Sequence, residues 1–185
     1  MDSRISDIFD HFIKFEGNSP YFYLDGAGKV TIGIGCVIPN AEAACALSFF
    51  HYSSNLLASV DEIVKEYKYF STMKSDMGLL FYKRMATLYL LPMAIERLFE
   101  FRIHDILSQL NKSFPDFVML PTNVAAVVLD MAFNLGVTGL LTKFPKFMDA
   151  IKDENYVIAA KESERKGISA ARNQWARETL LSTEL

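Results

Sequence analysis

IKFEGNSPYFYLDGAGKVTIGIGC, residues 13–36, passes through three kinds of local structure in quick succession. Upstream, Ile5, Ile8, Phe9, Phe12 and Ile13 recur at the spacing of one helix face, with Ser3 as a candidate N-cap and Asp7 in the early turns. Gly17 is suited to follow the last helical turn, so a helix is expected over residues 3–16. A hairpin follows: Tyr21 to Leu24 as one arm, Asp25-Gly26-Ala27-Gly28 as the turn, Lys29 to Gly35 as the other arm. Glu16 ends the helix, Asp25 opens the turn and Thr31 sits in the second arm.

Each of the three has a plain and a chemical reading. Glu16 continues the apolar face beyond Phe12 and Ile13. There a carboxylate is partly withdrawn from water and sits at the negative end of the helix dipole, and both favour its protonated form. That form suits a general acid; the plain alternative is a Glu that closes a helix and reaches solvent. Asp25 is a common turn former, or the ionised member of an acid–base pair. In a strand, Thr31, Gly33 and Gly35 would share one face, with Val30, Ile32 and Ile34 on the core side. A face with one hydroxyl and two absent side chains leaves room for a sugar, or is simply a glycine-rich edge.

Downstream the chain reads as helical. Candidates are 42–50, 60–67, 75–91, 93–110, 122–135, 144–151, 156–165 and 169–181. The run Val124 to Leu135 is apolar nearly all round and predicts a helix packed on every side. Helix, hairpin, then helices define an α+β, mostly helical fold, with a small β-hairpin lobe over residues 1–40 and a larger helical lobe over 41–185 in one domain.

The spacing of the first motif, E-G-x5-Y-x-D-x2-G-x2-T-I-G-x-G, resembles that of the phage-type lysozymes, or muramidases. AVVLDMAFNLGVTGLLTKF, residues 126–144, looks like that family's central helix and the turn after it. GISAARNQWARETLL, residues 167–181, looks like its C-terminal helix. The resemblance implies a lysozyme-like fold in which Glu16, Asp25 and Thr31 are catalytic. It further implies that Tyr23, Gly33, Asn134 and Arg172 bind substrate or border the site, with Arg172 approaching Glu16. The implied substrate is the peptidoglycan glycan strand, cleaved at the β-1,4 bond between N-acetylmuramic acid and N-acetylglucosamine. No cofactor or metal is implied. Cys36 stands where the family often has His, which predicts altered packing there rather than lost chemistry. Two other readings stay open: a lytic transglycosylase, and a wall-binding module without turnover.

Composition sets bounds on partners and place. The 185 residues are 51% hydrophobic and 22% charged, with a formal net charge of −3. Such a charge gives no general attraction to nucleic acid or anionic membrane. The N-terminal MDSRISDIFDHF lacks the continuous apolar stretch of a signal peptide, and Lys83, Arg84 and Pro92 interrupt the most apolar region, so no membrane span is expected. A monomer made in the cytoplasm and acting on the wall after release or secretion is expected. Delivery as an antibacterial effector would imply an immunity or inhibitor protein, its surface sought between Asn40 and Pro121. Two cysteines, Cys36 and Cys45, are expected to be free thiols. His11, His51 and His104 are too scattered for a metal site. Phe99, Phe101, Phe114 and Phe117 read as core, and Lys161 to Lys166 as a solvated face.

Overall fold

The computed structural model describes residues 3–75 and 77–184, without the side chains of residues 3–9 and of Glu184. The expected roles of Ser3, Ile5, Asp7, Ile8 and Phe9 fall on side chains outside this description. The chain is α+β and mostly helical, with small antiparallel sheets. It divides into two compact units, Met1–Arg102 and Ile103–Leu185. Within the first unit, residues 41–102 add strands and helices to the hairpin.

In the first unit, α1 (Ser3–Glu16) ends as the sequence predicts. Gly17 adopts φ +74° and its N–H donates to the Ile13 carbonyl at 2.9 Å. Strands β1 (Ser19–Leu24), β2 (Val30–Gly33) and β3 (Cys36–Val37) form a sheet in the order β1-β2-β3. Tyr23 pairs with Thr31, Leu24 with Val30, and Ile32 with Cys36. The second hairpin arm is therefore shorter than expected. Gly33 and Gly35 hold φ of +62° and +63°, and the chain reverses through Ile34 and Gly35 into β3. This positive φ is what demands glycine, so Gly35 belongs to a turn and not to a strand face. The middle strand β2 is covered on both faces, and all four of its residues are buried, Thr31 included. The expected alternation between an open and a core face is absent.

Two expected helices are broken by a small second sheet. The first becomes α2 (Ala41–Cys45) and β4 (Phe49–His51); the second becomes α4 (Leu79–Met85) and β5 (Leu88–Leu90). Phe49 pairs with Leu90 and His51 with Leu88. Leu88 and Leu90 are buried while Tyr89 between them is half-buried, a period of two that only a strand satisfies. Pro92 also keeps Leu91 out of helical geometry. Between them lies α3 (Val60–Ser71), started by a capping box in which Ser59 and Glu62 satisfy each other's backbone N–H groups. The core here is aromatic: Phe22 meets Phe49 at 4.9 Å and Phe70 at 6.0 Å between ring centroids. Helix α5 (Pro92–Ser113) begins in this unit, where Phe99 meets Phe12 of α1 at 5.4 Å. Of the four phenylalanines expected in the core, Phe99, Phe114 and Phe117 are buried, but Phe101 is 76% exposed.

The second unit contains α6 (Thr122–Leu135), α7 (Val137–Lys143), α8 (Pro145–Lys152), α9 (Tyr156–Glu162) and α10 (Ala170–Leu181). Helix α6 has the predicted bounds and is buried along most of its length, with α7 and α10 against it. Helix α7 was not foreseen. Gly136 at φ +73° separates it from α6, and the two axes differ by 101°. Among the described residues no single helix is long and apolar enough to cross a membrane.

Candidate active site

Tyr23 is the centre of the candidate site. It lies on β1, directly opposite Thr31, so its position is set by the sheet ladder. Its phenol is held well above the ordinary tyrosine value, so it stays protonated at neutral pH. Burial is the largest cause. The negative charge of Glu16, then the Cys36 thiol and Asp25, push the same way, while a backbone hydrogen bond from Gly35 opposes them. One phenol thus senses both carboxylates. The end of α1 and the turn after β1 bring Glu16 and Asp25 to the same neighbourhood.

Asp25 is fixed by its own turn. Its Oδ1 accepts from the Ala27 N–H at 2.9 Å and the Lys29 N–H at 2.8 Å. Its backbone N–H donates to the Lys29 carbonyl at 3.0 Å, and its carbonyl accepts from Gly28 at 2.9 Å. The carboxylate is half-buried, with Oδ2 outside these bonds. Thr31 is 2% exposed, and its hydroxyl donates to the Lys29 carbonyl at 3.0 Å. Its proton is committed, so the oxygen lone pairs are what it can offer a further partner. Lys29 therefore ties the orientation of Asp25 to that of Thr31. Glu16, in the last turn of α1, is half-buried.

Gly33 sits opposite Ser19 in the ladder, with Ile95 of α5 filling the space above it. A Cβ there would fall 2.9 Å from Ile95 Cγ2. The missing side chain admits a neighbouring Ile, a packing reason for glycine that the sequence could not separate from room for a ligand. Cys36, on β3, is buried, and burial pushes its thiol up to about 11. The Arg102 guanidinium pulls it down and Glu16 pushes it up. Arg102 and Cys36 thus share the Glu16 neighbourhood. Arg102 stands out little in sequence, being one basic residue on a long mixed helix.

The other two expected residues lie in the second unit. Asn134 is exposed near the end of α6. Arg172 is buried in the first turn of α10, where its Nε donates to Asp130 Oδ1 at 2.9 Å and its Nη2 lies 2.8 Å from the same oxygen. Arg165 Nη2 meets Asp130 Oδ2 at 2.8 Å. This corrects the expectation of a solvated face over 161–166: Arg165 and Ser163 are buried there. Asp130 was a legible signal, as the one charge in an otherwise apolar helix, since a carboxylate packed on every side must be paired.

No family model matches the chain, and a search of curated proteins returns no match.

Proposed function

We propose that the protein is a peptidoglycan hydrolase that cleaves the β-1,4 bond between N-acetylmuramic acid and N-acetylglucosamine. What carries the reading is that Lys29 holds both the Asp25 carboxylate and the Thr31 hydroxyl, with Thr31 opposite Tyr23 in the ladder, and that the charges of Glu16 and Asp25 both act on the Tyr23 phenol. The spacing shared with phage-type lysozymes supports it.

In this reading Glu16 donates a proton to the leaving glycosidic oxygen. A water gives one hydrogen bond to Asp25 Oδ2 and the other to the Thr31 hydroxyl oxygen, whose own proton is held by Lys29. The lone pair of that water then faces the anomeric carbon, and Asp25 takes its proton as the C–O bond forms. Attack from the face opposite the leaving group inverts the anomeric centre. Removing the proton donor should cost about a hundred- to ten-thousand-fold in rate. The protein acts in the periplasm or cell wall after release or secretion; an effector role would bring an immunity protein as partner.

The test is digestion of purified peptidoglycan, with products read by mass spectrometry. Reducing-end muropeptides from the native protein and almost none from Glu16→Gln are expected. Anhydro products would make it a transglycosylase. Binding without any product, unchanged in Asp25→Asn, would make it a wall-binding module.

A further inference from the structure

The β4–β5 sheet carries an aromatic pair that serves neither the core nor the candidate site. Tyr52 follows β4 and stacks on Tyr89 of β5, with centroids 4.7 Å apart and planes 29° from parallel. Phe50 meets Tyr89 at 6.1 Å. The Phe22–Phe49 pair of the core is wholly buried, whereas Tyr52 is 44% exposed. The adjoining turn is uncharged, Ser53-Ser54-Asn55, and exposed throughout. Asn55 is held at φ +57°, with its N–H on the His51 carbonyl at 2.8 Å. Its side-chain Oδ1 accepts from the Tyr89 hydroxyl at 3.0 Å. The amide acceptor is engaged, and its two N–H donors are left for a ligand.

These features suit one kind of ligand. A pyranose ring has an apolar face of C–H bonds that lies well on the electron-rich face of an aromatic ring. An acetamido carbonyl or ring hydroxyl needs a donor at the edge, which the Asn55 amide supplies. The uncharged turn beside the ring favours a polyhydroxyl partner over a charged peptide at that edge. We propose that Tyr52, backed by Tyr89 and edged by Asn55, is a second glycan-binding platform for an N-acetylhexosamine unit, separate from the Glu16–Asp25–Thr31 site. The identity of the sugar rests on the proposed peptidoglycan activity; the platform itself rests on the stacking and the amide. The platform belongs to the same framework as the site. Strand β5, which carries Tyr89, packs against β1, which carries Tyr23.

A second contact on a long polymer raises retention on that polymer without changing chemistry on a short one. The test uses Glu16→Gln protein sedimented with insoluble peptidoglycan, and otherwise native protein cleaving short soluble muropeptides. Adding Tyr52→Ala should weaken sedimentation by about tenfold, as loss of an aromatic contact does, whereas Tyr52→Phe should bind like its parent. Asn55→Asp keeps the acceptor for Tyr89 but not the N–H donors, and should weaken sedimentation several-fold. Cleavage of the short substrate should stay unchanged in all three. Asn55→Asp guards against a folding failure in Tyr52→Ala. If native protein cleaves peptidoglycan and both variants sediment like the parent, the platform is overturned and the activity stands. If native protein neither binds nor cleaves, both fall together.

Discussion

Arg172 and Arg165, seven residues apart in the chain, close on the two oxygens of Asp130 at 2.8 Å each, and all three side chains are buried. Helix α6, the loop after α9 and helix α10 are thereby joined at one carboxylate. Removing the acid from such a cluster leaves two buried guanidinium groups without it. Asp130→Ala should lose about 3–5 kcal/mol of stability in chemical denaturation. A loss within about 0.5 kcal/mol, the range of ordinary surface changes, would show that the cluster contributes nothing net.

Glu66 on α3 makes stability depend on pH in a defined direction. It is buried, and accepts from the backbone N–H of Thr87 and of Leu88 and from the Thr87 hydroxyl. Burial raises its pKa above the usual glutamate value, and the hydrogen bonds from Thr87 and Leu88 only partly oppose this. The folded state then holds the proton more tightly than the unfolded state. Glu66 contributes its full stability below the unfolded value and loses it as pH rises through the higher folded value. Denaturation free energies of native protein minus those of Glu66→Gln should fall as pH rises from the usual glutamate range towards neutrality. A difference that stays flat, or rises, would contradict this.

The two thiols should react at very different rates. With its thiol pushed to about 11, Cys36 is thiolate in only about one molecule per thousand at pH 8, and burial shields it further. Cys45 is half-exposed. A thiol reagent should titrate one equivalent quickly in native protein and the second only in denaturant, with Cys45→Ser abolishing the fast phase. Two fast equivalents would mean that Cys36 is open to solvent.

Gly33→Ala should destabilise by about 1–3 kcal/mol, from overpacking against Ile95 and from the left-handed backbone. In a double-mutant cycle with Ile95→Ala, the pair should cost less than the sum of the single changes, because the clash is counted once and then removed. Strict additivity would show that only the backbone conformation matters.

Sequence patterns were most legible where a single periodicity ruled. Helix α6 begins after Pro121 and ends before Gly136, as its punctuation predicts. The Gly17 stop and the Asp25 turn are equally local. The β4–β5 sheet was lost because Phe49 to His51 and Leu88 to Leu90 are short apolar runs whose partners lie far along the chain; pairing, not propensity, makes them strands. The burial of Thr31 was lost for a related reason, since being the middle strand depends on β3 arriving from beyond the second turn. Phe101 was misplaced because it is apolar on a helix whose core face runs through Phe99 and Ile103. In the candidate site, the spacing singles out Glu16, Asp25 and Thr31, but nothing in it tells that Tyr23 is a group on which both carboxylates act. That role comes from the ladder pairing and the turn back to Gly35.

The hydrogen bonds that fix Asp25, two to its Oδ1 and two through its backbone, all lie within residues 25–29. Closing so small a ring asks little of the chain and can happen early. Glu16 reaches its place only when α1 docks, and that docking involves Phe12 meeting Phe99 across most of the first unit. The two carboxylates therefore differ in when their geometry is written. One corner is complete as soon as the hairpin turns, and the other waits on a long-range encounter, so a chain interrupted before α5 would carry the first corner without the second.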